Sequence, residues 1–157
     1  MAEPGVPEQS EGGITMAISV SHIGICVSDL ERSMRFYCDG LGFEPVISYE
    51  IGSEFAVPLE VDGEIDLTSQ MITRDGFMVE LLHYRSPGVR GTPSDSRNIL
   101  GMTHLSFNVD DVDAVGAKLA ECGGTVIDAT RTKVEQGDFL FIADPDGTRI
   151  ELMTLVQ

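Results

Sequence analysis

An internal repeat constrains the fold of this chain more than any other feature of the sequence. Two segments occur twice in related form, and these are 20–30 with 102–112 and 75–82 with 146–153. Each copy of the repeat contains a histidine near its beginning, His22 or His104, and a glutamate near its end, Glu80 or Glu151. The repeat therefore predicts two similar modules, each with a His and a Glu at matching places.

The length and composition of the chain are those of a single domain. A chain of 157 residues with 42% hydrophobic residues can fill one hydrophobic core. The N-terminal residues are rich in Pro, Gly and Glu, and they predict a disordered tail. A second stretch rich in Pro, Gly and Ser predicts the linker between the modules. The expected division is a tail at 1–16 and one domain at 17–157, made of module one at 17–85, the linker at 86–98 and module two at 99–157.

Hydrophobic periodicity predicts the same order of elements, βαβββ, in both modules, and hence an α+β fold. In module one, Ser28–Glu31 resembles a helix capping box, and apolar residues follow it at helical spacing. In module two, Asp110 or Asp111 is the expected N-cap, and Gly123-Gly124 is the expected helix end. The predicted strands are 18–27, 43–50, 67–73, 77–84, 105–109, 125–129, 139–143 and 149–155.

Strand alternation places the repeated His and Glu residues on one face of each sheet. Successive side chains of a strand point to opposite faces, so His22 and Glu80 lie opposite the apolar residues that a helix would cover. The same alternation holds for His104 and Glu151. A buried, unpaired carboxylate costs several kcal/mol or more, and a shared divalent cation would offset this cost. The sequence therefore predicts a metal site formed by these four residues.

Charge and cysteine content exclude other classes of function. The formal net charge of −16 repels nucleic acid and anionic lipid, and no cluster of Lys or Arg offsets it. No apolar run reaches the roughly 18 residues that a membrane span requires. Cys26, Cys38 and Cys122 are odd in number and lack a CxxC spacing, which indicates reduced thiols and a cytoplasmic protein.

These motifs resemble those of the vicinal oxygen chelate (VOC) superfamily. This superfamily includes glyoxalase I, methylmalonyl-CoA epimerase, extradiol dioxygenases and bleomycin- and fosfomycin-resistance proteins. His22–Ile25, Asp29–Tyr37 and Leu41–Phe43 resemble its first-module signature, and Asp144–Leu152 resembles its last strand. The resemblance covers about Ile18 to Val156 and implies an incomplete barrel around a metal-binding cleft.

The resemblance also implies a ligand set. Ring-cleaving dioxygenases of the superfamily use two His and one Glu, whereas His22, Glu80, His104 and Glu151 together match bacterial glyoxalase I and are compatible with the epimerases. Resistance-type binding proteins commonly lack these ligands. The expected cofactor is a divalent metal ion, which could be Zn, Ni, Co, Mn or Fe.

The leading functional prediction is a glyoxalase I-like lyase or isomerase that moves a proton on the carbon alpha to a carbonyl, through an enediolate. Glu151 is the first choice of base and Glu80 the second, while His22 and His104 stay bound to the metal as neutral imidazoles. The expected partners are a small-molecule substrate and a second copy of the chain in a homodimer. The predicted substrate contacts are Arg149, Asn108, Met78 and Met153.

Three alternatives remain open at this stage. The first is a methylmalonyl-CoA epimerase-like racemase, the second an extradiol-type dioxygenase, and the third a non-catalytic protein that sequesters a ligand. Glyoxalase I usually has an Arg and an Asn that contact glutathione, and Cys26 and Tyr84 stand in those places here. Metal dependence separates the binding protein from the enzymes, because a binder should retain its ligand after chelation.

Overall fold

A computed structural model describes residues 18–155 of the chain. The predicted tail at 1–16 lies outside these residues, as do residues 17, 156 and 157. In the part that the structure describes, no helix is long and apolar enough to cross a membrane.

The first module has the predicted order of strand, helix and three strands. Its helix begins at the N-cap Asp29, whose carboxylate accepts a hydrogen bond from the Arg32 N–H, and it continues directly into a π-helix. The elements are β1 (Ile23–Cys26), α1 (Leu30–Met34), the π-helix (Arg35–Gly40), β2 (Glu44–Gly52), a 3₁₀ helix (Ser53–Phe55), α2 (Ala56–Leu59), β3 (Asp66–Arg74) and β4 (Phe77–Ser86).

The second module repeats this order with one extra short strand. Asp111 is the N-cap of its helix and accepts hydrogen bonds from the N–H groups of Asp113 and Ala114, both at 2.9 Å. The elements are β5 (Leu105–Asn108), α3 (Val112–Glu121), β6 (Thr125–Val126), a 3₁₀ helix (Asp128–Thr130), β7 (Thr132–Val134), β8 (Gly137–Ala143) and β9 (Arg149–Leu155).

Each module forms its own sheet. The strand orders are β1-β4-β3-β2 and β5-β9-β8-β6, with β7 paired to β8. In both sheets the first strand runs parallel to the last, with Gly24 opposite Glu80 and Ser106 opposite Glu151. Among residues 18–155 the sheets do not join into a closed barrel, and the predicted α+β fold of two modules is confirmed.

The two modules share one hydrophobic core on the helix side of the sheets. Two glycines allow the modules to approach closely there. A Cβ at Gly40 would lie 2.8 Å from Leu119 Cδ2, and one at Gly124 would lie 2.6 Å from the Phe36 ring. The largest fully buried side chains come from both modules, and they are Tyr37, Phe36, Leu67, Ile72, Leu81, Leu119, Ile142, Ile150, Leu152, Val27, Val79 and Val112.

A group of polar contacts, the inter-module clasp, ties the β8–β9 turn of module two to the start of module one. The buried Tyr37 hydroxyl donates to Asp144 Oδ2 at 2.8 Å. Asp146 accepts from the Ser28 N–H at 2.8 Å and from the Arg32 guanidinium at 2.7 Å. The clasp therefore crosses between the modules beside their shared core.

Two strands differ from the sequence predictions. β1 begins at Ile23 rather than Ile18, and its parallel pairing with β4 begins with Ile23 opposite Val79. The side chains of Ile18 and Val20 are accordingly 90% and 91% exposed. The strand expected at 125–129 ends after Val126, where a 3₁₀ helix turns the chain toward β7.

Candidate metal centre

The first predicted pair, His22 and Glu80, is assembled by the parallel pairing of β1 and β4. His22 immediately precedes β1, and Glu80 lies in the middle of β4. His22 Nε2 lies 3.2 Å from Glu80 Oε2, and the two side chains are 37% and 19% exposed. The pair is thus accessible from solvent while the carboxylate is largely covered.

The second predicted pair, His104 and Glu151, has nearly the same geometry. His104 immediately precedes β5, and Glu151 lies on β9. His104 Nε2 lies 3.3 Å from Glu151 Oε2, and the side chains are 30% and 19% exposed. The edge of the Phe141 ring packs against the His104 imidazole, with 5.3 Å between the ring centroids. The sequence repeat therefore produces a repeated His–Glu pair.

A hydroxyl group fixes the far side of each imidazole ring. Ser21 Oγ lies 2.9 Å from His22 Nδ1, and Thr103 Oγ1 lies 2.8 Å from His104 Nδ1. When Nδ1–H donates to the hydroxyl oxygen, Nε2 presents its lone pair on the side of the glutamate. This arrangement is the one that a metal-binding histidine needs.

Serine hydroxyls also orient the two carboxylates. The Ser69 hydroxyl donates to Glu80 Oε1, and the Ser106 hydroxyl donates to Glu151 Oε2 at 2.7 Å. Ser69 is fully buried. Both carboxylate oxygens of Glu80 therefore have a protein partner, Ser69 for Oε1 and His22 for Oε2. For Glu151, both partners among residues 18–155, Ser106 and His104, contact Oε2.

The residues of both pairs fit a divalent cation. Imidazole nitrogen and carboxylate oxygen bind zinc and similar ions at about 2.0–2.2 Å, which places two ligands of one ion about 2.8–3.6 Å apart for octahedral to tetrahedral angles. The observed separations of 3.2 and 3.3 Å lie in this range. No Arg or Lys forms an ion pair with Glu80 or Glu151 among residues 18–155, so a cation would supply the missing positive charge.

The structure assembles the four residues as two separate pairs. Within the described range, no three or more His, Cys, Asp or Glu side chains form a group that could hold an ion. One chain thus presents two half-sites of two ligands each, where the sequence predicted four ligands converging on one ion. The assignment of the four residues as metal ligands stays a prediction.

The predicted substrate contacts lie on the same sheet faces as the pairs. Arg149 and Met153 are two residues before and after Glu151 on β9, and Asn108 on β5 lies opposite Met153. Met78 is two residues before Glu80 on β4. Arg149 donates a hydrogen bond to the Gly147 carbonyl oxygen at 2.8 Å. These four side chains therefore flank the half-sites.

The thiol nearest the first half-site is held in its neutral form. Burial, followed by the charge of Asp146, raises the pKa of Cys26, and burial likewise raises the pKa of Tyr84. A nucleophilic cysteine needs a lowered pKa, so Cys26 is unsuited to covalent catalysis.

Several polar residues of the site were not predicted from the sequence. The hydroxyl residues Ser21 and Thr103 precede the two histidines at matching places of the repeat, and this repetition was an available signal. Ser69 gives no such signal, because it reaches Glu80 from the neighbouring strand β3. Arg97 in the linker also lies near the second half-site, and only the folded chain places it there.

Comparison with known proteins identifies several relatives. The uncharacterized Escherichia coli (strain K12) protein YaeR is 32% identical over 137 residues, covering 85% of this chain and 93% of YaeR. A probable lactoylglutathione lyase of Synechocystis sp. is 30% identical over 135 residues, covering 84% and 92%. A 2-epi-5-epi-valiolone epimerase of Actinomyces sp. is 29% identical over 153 residues, covering 91% and 82%.

Solved structures show the same fold. A glyoxalase family protein from Bacillus cereus matches with a TM-score of 0.77 and 19% identity, covering 92% of this chain and 98% of that protein. The fosfomycin resistance protein FosX from Listeria monocytogenes, crystallised with Mn(II) and sulfate, matches with a TM-score of 0.59 and 17% identity, covering 90% and 95%.

A family model supports the same assignment over most of the chain. The model, described as Glyoxalase/Bleomycin resistance protein/Dioxygenase superfamily, matches residues 19–152. This range includes both His–Glu pairs and all of the repeat except residue 153. The protein therefore belongs to the Glyoxalase/Bleomycin resistance protein/Dioxygenase superfamily, the VOC superfamily whose motifs its sequence resembles.

Proposed function

We propose that this protein is a divalent-metal-dependent enzyme that moves a proton on the carbon next to a carbonyl group. The duplicated His–Glu pair supports this proposal most strongly, because the two copies share ligand type, separation and supporting hydroxyls. The relatives named lactoylglutathione lyase and epimerase support the same class of chemistry.

The proposed metal site uses all four predicted ligands, His22, Glu80, His104 and Glu151. The two pairs of one chain are not gathered into one group in the described structure, so we propose that the chain forms a homodimer. In a two-fold symmetric dimer, the His22–Glu80 pair of one chain would meet the His104–Glu151 pair of the other. Symmetry would then create two equivalent four-ligand sites and leave no half-site unused.

The bound cation would act as a Lewis acid toward the carbonyl oxygen of the substrate and make the neighbouring C–H more acidic. Glu151 is the proposed base that accepts this proton. Its Oε1 has no protein hydrogen-bond partner among the described residues, whereas both oxygens of Glu80 are engaged. Ser106 would hold Glu151 in place through Oε2 while Oε1 receives the proton.

A substitution at Glu151 tests this role. Glu151→Gln retains the size of the side chain and an oxygen ligand but removes the basicity that proton abstraction requires. We expect this variant to keep most of its metal and to lose on the order of 10² or more in turnover. Glu135→Gln, at an exposed site in the β7–β8 turn, removes the same charge and should retain full turnover.

The assay measures metal content, turnover and exchange of solvent deuterium into the alpha position. Hemithioacetals and racemic acyl-CoA compounds are the first substrates, since they separate a lyase from an epimerase. Metal-loaded protein that exchanges no deuterium with any alpha-carbonyl compound would contradict the proposal. Oxygen consumption with a catechol would instead indicate a dioxygenase, and ligand binding that survives chelation would indicate a binding protein.

A further inference from the structure

A cleft of about 430 Å³ lies beside the second half-site, and its lining combines two arginines with an apolar wall. Arg97 of the linker and Arg149 of β9 supply the guanidinium groups. Phe139 and Phe141 of β8, together with Ile127, supply the wall. The cleft thus offers positive charge and apolar surface side by side.

The register of β8 and β9 places this cleft next to the proposed reacting centre. Phe141 lies opposite Glu151, and its ring packs against the His104 imidazole. Arg149 precedes Glu151 by two residues on the same face, which corresponds to about 7 Å along a strand. A group bound by Arg149 would therefore lie a few bonds from a carbon that faces Glu151.

The two guanidinium groups have donors to spare. Arg97 donates to the carbonyl oxygens of Ser94 and Thr103, and Arg149 donates to the carbonyl oxygen of Gly147. A guanidinium has five N–H donors, so both groups retain several that could bind an anion. The Thr103 contact also places Arg97 next to the residue that precedes His104.

Neither positive charge is neutralised by an ion pair. Among residues 18–155, Arg97 and Arg149 form no ion pair with a carboxylate, and Asp95, which also lines the cleft, makes none with them. Burial and the nearby charge of Arg149 both lower the pKa of Arg97, while Asp95 raises it by a smaller amount. Asp95 therefore offsets only part of the unfavourable effect of placing two half-buried like charges together, and a bound anion would offset more of it.

We propose that Arg97 and Arg149 form an anion subsite that binds a carboxylate or phosphate group of the substrate. The proposal rests on the proposed function, because it assumes that the substrate reacts at Glu151. It assigns the substrate to small acyl compounds that carry an anionic group a few bonds from the reacting carbon. Paired guanidinium donors suit both carboxylate and phosphate oxygens.

Anion binding by the chelator-treated, full-length protein tests the subsite without any metal or turnover. Calorimetric titrations with inorganic phosphate and with acetate, at low ionic strength and pH 8, distinguish the two anion types. The overall charge of −16 repels anions, so saturable binding of either probe requires a local positive site. We expect binding of at least one probe by the wild-type protein.

Three arginine variants locate the binding. Arg97→Gln and Arg149→Gln should each weaken binding on the order of tenfold or more, as loss of charge-assisted hydrogen bonds implies. Arg90→Gln removes the same charge from an exposed position in the same linker and should change the affinity by less than about twofold. Arg149→Lys keeps the charge and should retain part of the binding if Arg149→Gln does not fold.

The possible outcomes separate this proposal from the proposed function. No binding of either probe by the wild-type protein would overturn the subsite, and so would equal losses in the Arg97→Gln and Arg90→Gln variants. Metal loading is measured on the same preparations before the chelator treatment. Normal metal loading in Arg97→Gln with weakened anion binding supports the subsite, whereas absent metal loading in the wild type counts against the proposed function alone.

Discussion

Removing the Tyr37 hydroxyl tests the inter-module clasp. Tyr37 is fully buried and Asp144 is 3% exposed. Asp144 Oδ1 accepts hydrogen bonds from the N–H groups of Asp146 and Thr148 at 2.9 and 2.7 Å, whereas among residues 18–155 Oδ2 accepts only from Tyr37. Tyr37→Phe therefore leaves one buried carboxyl oxygen without a protein donor while the aromatic packing is retained.

The expected cost follows from that unpaired oxygen. Leaving a buried acceptor unsatisfied costs about 1–3 kcal/mol in the free energy of unfolding. For a chain of this length, each kcal/mol lowers the Tm by about 2–4 °C, so the variant should melt about 2–12 °C below the wild type. The loss should affect the cooperative unfolding of the whole domain, because the clasp joins both modules.

The assay is urea and thermal unfolding of Tyr37→Phe beside Tyr49→Phe. Tyr49 lies on β2 with 49% of its surface exposed, so its variant makes the same chemical change without burial. We expect Tyr49→Phe to change the free energy of unfolding by less than about 0.5 kcal/mol. If Tyr37→Phe were equally mild, the clasp would not contribute to stability in the way described.

Two further predictions concern the same interface between the modules. Gly124→Ala should destabilise the fold by about 1–3 kcal/mol. The new Cβ would lie 3.0 and 3.2 Å from the backbone oxygens of Leu119 and Ala143, and it would also press against the Phe36 ring. Gly116→Ala is the control, because its Cβ would meet only side chains, and it should cost less in the same melting assay. The penalty of Tyr37→Phe should be smaller at pH 4 than at pH 7. Burial raises the pKa of Asp144 in the folded protein above its value of about 3.9 in the unfolded chain. The stability that this group contributes is therefore fully present below the unfolded-state pKa and is lost as the pH rises through the folded-state pKa. The Tyr37 hydrogen bond lowers that pKa, so the variant loses more stability on going to neutral pH; a penalty independent of pH would contradict this reasoning.

Local sequence signals predicted the elements that depend on local interactions. The N-cap expected at Asp110 or Asp111 and the helix end expected at Gly123-Gly124 predicted α3 closely. Periodicity and capping are properties of neighbouring residues, and these can be read from the sequence.

Features that depend on distant residues could not be predicted in this way. β1 begins at Ile23, where its pairing with Val79 of β4 begins, whereas the apolar pattern of the sequence alone extends to Ile18. Ser28 was expected to cap a helix, but it donates to Asp146, which is 118 residues away. The separation of the four predicted ligands into two pairs likewise depends on how the modules are arranged in space.

Mixing two defective chains tests the central claim most directly. One variant carries His22→Ala and Glu80→Ala, and the other carries His104→Ala and Glu151→Ala, so each alone lacks half of every proposed site. Co-expression with two different affinity tags allows the heterodimer to be isolated. In this heterodimer, one site would combine the intact pairs of the two chains, while the other would have neither.

Metal content of the purified heterodimer is the decisive measurement. The account predicts that neither variant alone binds metal tightly, that the wild-type dimer binds two ions, and that the heterodimer binds one. Single-chain sites would leave the heterodimer as empty as its parents, because no chain in it holds all four ligands. An empty heterodimer, or tight metal binding by either variant alone, would contradict the proposed metal centre.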